Sequence, residues 1–152
     1  MKTVHSGFTL IELIVVIVIL GILAATALPK FVGIQSGARL STLQGARGAV
    51  ASAMNIAYAT QASQGLASNV GITLDGISIA MLNGYPSSAL PAASGIYAAA
   101  GLSSDYSAVG PSAASVTITV ANAPTPNSCA FSYTAATATK PPVVGAVISS
   151  GC

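Results

Sequence analysis

The 152-residue chain contains no tryptophan, one histidine (His5) and three acidic side chains, Glu12, Asp75 and Asp105. Only 5% of its residues are charged, about a fifth of the share in an ordinary soluble domain. Each scarcity excludes something. Five basic residues and a net charge of +2 cannot build the basic face by which nucleic-acid modules neutralise phosphates. One histidine and two cysteines leave almost nothing for a zinc site or a histidine-based triad, so neither metal, cofactor nor enzymatic catalysis is expected. No Asn-x-Ser/Thr sequon is present. What is abundant is small or apolar: 53% of residues are hydrophobic, and alanine alone supplies 29 positions.

The hydrophobicity is concentrated at one end. Leu13 to Leu28 is a run of 16 uncharged residues, and counted from Phe8 the segment, with Glu12 inside it, reaches 21. As a helix this is about 31 Å long, enough to cross the roughly 30 Å hydrocarbon core of a bilayer. Lys2 precedes the span and no further basic residue occurs until Lys30, which orients the N-terminus toward the cytoplasm. A plain secretory signal, cut after Ala27 at the small-residue site Ala25-Thr26-Ala27, competes with this reading. Glu12 speaks against it. A carboxylate inside an apolar span costs on the order of 2.5–3.5 kcal/mol, and a discarded signal gains nothing from it.

Gly7-Phe8-Thr9-Leu10-Ile11-Glu12-Leu13, with the apolar run behind it, resembles the leader region of type IV pilins and the related type II secretion pseudopilins. Gly21 and Ala27-Leu28-Pro29-Lys30-Phe31 follow the same pattern. The resemblance implies a leader at residues 1–7, cut by prepilin peptidase between Gly7 and Phe8, with N-methylation of Phe8. It also implies that Glu12 pairs with the Phe8 amine of a neighbouring subunit and so sets register, because a buried carboxylate needs a cation. A role for Glu12 in capping the first helical turn is the alternative, compatible with the first. The implied partners are identical subunits in a homopolymer, prepilin peptidase, the inner membrane before assembly and the pilus assembly machinery. No specific nucleic acid is implied. The major pseudopilin of a type II secretion system is the alternative function, but those heads usually carry tryptophan and lack a terminal disulfide loop. Thr42-Leu43-Gln44-Gly45, Gly84-Tyr85-Pro86 and Gly151-Cys152 look similar to mannose-sensitive haemagglutinin type pilins.

The expected fold is α+β, with one helix over about 9–62 packed on a C-terminal antiparallel sheet. The helix should be kinked or locally unwound between Gly21 and Pro29, since proline removes a backbone bond and clashes one turn back. Residues 8–29 form the membrane and filament-core half, and 30–152 the exported head. Leu40, Leu43, Val50, Met54 and Ala57 recur on one helical face, while Gln35, Ser41, Gln44, Ser52 and Asn55 fall elsewhere. Lys30, Arg39 and Arg47 form no stripe and are expected to be solvated or subunit-bridging.

Past Gly65 the pattern changes to strands. Ile72–Leu74 and Ile77–Ile79 flank Asp75-Gly76, a two-residue hairpin signal, so Asp75 reads as a turn residue. Asn83-Gly84-Tyr85-Pro86 reads as a turn, and a short helix is expected near Ala98. Val116–Val120 and Cys129–Tyr133 alternate as half-buried strands, with Cys129, Phe131 and Tyr133 on one face. Residues 143–148 should form a closing strand. Two thiols in an exported domain favour one disulfide, Cys129–Cys152, over free thiols or metal ligation, closing the loop 129–152.

Overall fold

A computed structural model describes residues 7–88 and 94–152. Of the expected leader only Gly7 is among them, and residues 1–6 lie outside the described residues. The chain forms two compact units, residues 1–36 and 37–152, and one helix, α1 (Leu10–Ser63), contributes to both.

The first unit is almost wholly α1. Pro29 lies inside the helix, and every residue from Gly21 to Pro29 is helical. The local unwinding expected there as one form of disruption is therefore absent; a helix can carry a proline at the cost of one backbone bond without losing its turns. Between Phe8 and Phe31, every large apolar side chain described is at least 46% exposed. The helix is long and apolar enough to cross a membrane.

The second unit has a core built from the C-terminal half of α1 and a four-stranded antiparallel sheet. Two hairpins precede the sheet: β1 (Ile72–Leu74) with β2 (Ile77–Ile79), and β3 (Met81–Leu82) with β4 (Tyr85–Pro86). A four-residue helix, α2 (Ile96–Ala99), follows at the expected place. The sheet then runs as a meander: β5 (Tyr106–Val109), β6 (Ser115–Val120), β7 (Ala130–Thr134) and β8 (Val143–Val144). Leu43, Val50 and Ala57 are fully buried, as the helical periodicity requires. Ala46 and Ala53 fill the positions between them, small enough for the sheet to approach the helix. Against this face pack Val116, Ile118 and Val120 of β6, and Phe131 and Tyr133 of β7. Burial of each large apolar side chain contributes about 1.5–3 kcal/mol.

Both hairpin turns follow from their residues. Asp75 and Gly76 have φ of 49° and 79°, and Asn83 and Gly84 have 51° and 87°. Positive φ at both central residues defines the turn whose twist matches paired strands, and Asn-Gly and Asp-Gly adopt it most cheaply. Tyr85-Pro86, expected within a turn, is instead a short strand; its register with Met81 and Leu82 places the proline at an edge, where no amide is needed. The closing strand is shorter than 143–148. β8 ends at Val144, after which the Gly145 amide still donates to the Ser132 carbonyl at 2.8 Å and Ile148 bridges to Ala130.

The buried phenol of Tyr133 donates to the Pro86 carbonyl at 2.8 Å, joining the sheet to the second hairpin. Burial holds this phenol well above the usual tyrosine range. An unfolded tyrosine loses its proton near pH 10, whereas the folded one keeps it, so stability present at neutral pH falls as the pH rises past about 10. Tyr133→Phe is expected to cost about 1–3 kcal/mol at neutral pH, because Pro86 loses its donor. It should also flatten the alkaline fall, leaving the share of Tyr97, whose phenol burial likewise holds up. Urea unfolding at a series of pH values measures both.

Candidate functional site

Two sets of residues stand out, one in each unit. In the first, Gly7, Phe8 and Thr9 precede the helix and are exposed. The Gly7–Phe8 peptide thus lies outside regular structure. Thr9 is the helix N-cap. Its hydroxyl accepts from the Glu12 amide at 3.3 Å, and the Glu12 carboxylate accepts from the Thr9 amide at 2.9 Å. The Thr9 hydroxyl also donates to the same oxygen, Oε2, at 2.7 Å. This reciprocal pair is a capping box, which satisfies two amides that the first helical turn leaves without partners. A carboxylate here also lies at the positive end of the helix dipole.

The capping alternative for Glu12 is therefore realised within the single chain. It leaves Oε1 without a hydrogen bond among the described residues, so the carboxylate keeps an oxygen for a second partner. The signal was in the sequence: Thr9-x-x-Glu12 directly ahead of an apolar run is the capping-box pattern. Gly21 and Pro29 lie along the same helix and make no contact with this cap.

In the second unit, Cys129 and Cys152 form a disulfide with Cα atoms 4.8 Å apart. Both residues are buried against the helix–sheet core. The segment between Gly145 and Cys152 is held at two further points by α1. Arg47 donates through Nε to the Gly145 carbonyl at 2.7 Å, and Arg39 donates to the Cys152 carbonyl at 2.9 Å. Each arginine thus makes a hydrogen bond within its own unit that the helical spacing alone does not indicate, while Arg47 stays exposed, as expected of a solvated charge. Backbone bonds from Gly151 to Ser128 and from Thr125 to Gly151 complete the closure. Among the described residues, no three His, Cys, Asp or Glu side chains gather where they could hold a metal ion.

Residues 3–28 match the prokaryotic N-terminal methylation motif. The type IV narrow pilus major component PilA5 of Thermus thermophilus is 51% identical to the chain over 52 residues. That stretch is 34% of this chain and 45% of the relative, so the match spans less than half the length of the curated protein. No solved structure matches. The N-terminal segment is thus similar to that of a type IV pilus component, and the described residues form the long helix and antiparallel sheet of the expected α+β fold.

Two outcomes follow from the geometry. Thr9→Val should remove the cap at a cost of about 1 kcal/mol, seen as roughly five-fold faster amide exchange at Glu12 and Leu13 in detergent. Reducing Cys129–Cys152 should cost about 3.5 kcal/mol, lowering the thermal midpoint of the second unit by roughly 10–20 °C.

Proposed function

We propose that this chain is a structural subunit that polymerises into a type IV pilus on the bacterial surface, serving adhesion, motility or surface attachment. The observation that carries the reading is the methylation motif placed on a helix whose described large apolar side chains from Phe8 to Phe31 stand exposed. Prepilin peptidase cuts after Gly7 on the cytoplasmic side and methylates Phe8. The subunit then waits in the inner membrane as a single-pass protein, with residues 8–29 in the bilayer and 30–152 outside. Assembly moves the apolar helix from lipid into a bundle of copies. Apolar area buried there contributes about 25 cal/mol per Å², with no catalytic residue needed.

In the bundle, the exposed oxygen of Glu12 takes the Phe8 ammonium of a neighbouring subunit. Removing one member of a buried pair costs about 3–5 kcal/mol, so the pair penalises every axial stagger that separates its members. Within residues 8–29, Gly21 and Pro29 are the positions at which α1 yields most easily, since one is a poor helix former and the other lacks an amide. The Cys129–Cys152 loop and the absence of tryptophan favour a pilin over the major pseudopilin of a secretion system.

Intact-mass and N-terminal analysis of sheared surface material is expected to give a chain beginning at methylated Phe8. A terminus at Leu28 would contradict the reading. Glu12→Ala should leave processing intact and reduce surface filaments to a small remnant, counted by electron microscopy; abundant normal filaments would contradict the register role.

A further inference from the structure

The charged side chains of the second unit fall into two groups. Arg39 and Arg47 are occupied by carbonyls, and Asp105 accepts from the Ser103 hydroxyl at 3.1 Å. Asp75 and Lys140 are different: neither side chain has a partner among the described residues. They are of opposite sign, and both are carried on closed turns. Asp75 is the first central residue of the β1–β2 turn. Lys140 ends a turn in which the Thr137 amide donates to the Lys140 carbonyl at 2.9 Å, while the Lys140 amide donates to the Thr137 hydroxyl at 3.1 Å.

Their surroundings differ in shape. Asp75 lines a groove of about 350 Å³ together with Ser52, Ala53 and Ile56 of α1, Leu74 of β1, and Ala99 and Ala100 at the end of α2, so that its walls are mostly apolar. It is the only charge lining that groove. Lys140 belongs to an exposed stretch, residues 137–141, that continues into Pro141. One is a mostly apolar recess lined by one acid; the other is an exposed turn with a base and a rigid apolar neighbour.

We propose that the Thr137–Pro141 turn of one copy of this chain docks in the groove of a second copy, with Lys140 paired to Asp75. The contact rests on the subunit reading above and specifies a surface through which the heads meet. A filament needs a heterologous contact, in which two different patches of the same molecule are complementary. The groove and the turn are different patches of one molecule and meet that requirement in sign, an acid in the one and a base on the other. Because both charges sit on turns already closed by hydrogen bonds, docking orders little additional chain. An exposed ion pair is weak, so its loss should weaken each contact by about 1.5- to 5-fold. A filament repeats the contact at every subunit, and the effect on its mechanical persistence accumulates accordingly.

The test uses purified filaments of the full chain and a carbodiimide, which joins a carboxylate directly to an amine lying against it. The expected result is a ladder of covalent oligomers on a denaturing gel, with Asp75 and Lys140 found in one linked peptide. Asp75→Asn should abolish the ladder while filaments still form. Asp75→Lys and Lys140→Asp should each lower the shear needed to break filaments, and the double exchange should restore it. Intact filaments that yield only monomers, or a ladder linking Asp75 to Lys30, would overturn the contact alone. A wild-type chain that forms no filaments would overturn the subunit reading and this contact with it.

Discussion

A continuous, exposed apolar helical surface is the constraint on which the remainder of the protein depends. From Phe8 to Phe31 the large side chains stand exposed, and water is the one surrounding in which such a surface does not persist. Lipid satisfies it and so does a bundle of like helices. The first turn is built for the same surroundings. In hydrocarbon a free backbone amide costs several kcal/mol, and Thr9 and Glu12 satisfy two such groups with side chains only three residues apart. The cap therefore lets the helix begin cleanly inside an apolar medium.

The second unit solves the opposite problem, staying folded and exposed with few charges and a small core. Its largest buried side chains are few, and alanines at 46, 53 and 57 bring helix and strands close together. The C-terminal segment adds little regular structure, since β8 has only two residues. It is secured instead by the disulfide and by Arg39 and Arg47 reaching from α1 to backbone carbonyls. A hydrogen bond from a charged donor contributes about 1.5–3 kcal/mol, which is substantial for a short loop. The arginines thus do for the chain end what a longer strand would do in a larger domain.

The parts legible in the sequence were those encoded by neighbours. The apolar face of α1, the Asp75-Gly76 hairpin and the alternation in β6 and β7 all depend on residues within a few positions of each other. β5 was missed because Tyr106-Ser107-Ala108-Val109 mixes polar and small residues and gives only a half-buried alternation. The role of the arginines was missed for a different reason: their acceptors lie 113 and 98 residues away, and a carbonyl carries no sequence signature. The capping box is the converse case. Its four residues, Thr9 to Glu12, are contiguous, so the pattern is carried by the sequence alone.

The cap formed by Glu12 and its proposed register role are complementary, and together they would explain why one carboxylate suffices. The side chains from Ile11 to Leu28 are mostly Ile, Leu, Val and Ala, which are nearly interchangeable as packing partners. Sliding one such helix along another by a turn, about 5.4 Å, changes the buried area little. Apolar burial can hold a bundle together without choosing a register. Only a group that is intolerable when unpaired distinguishes one stagger from the next, as a single polar residue does in a coiled-coil core. The cap fixes Oε2 against Thr9 and so fixes where Oε1 points, giving the register group a defined direction as well as a defined height. A second charge in the same run would create a second acceptable stagger. In the proposed filament, scarcity of charge is therefore a condition for a unique assembly.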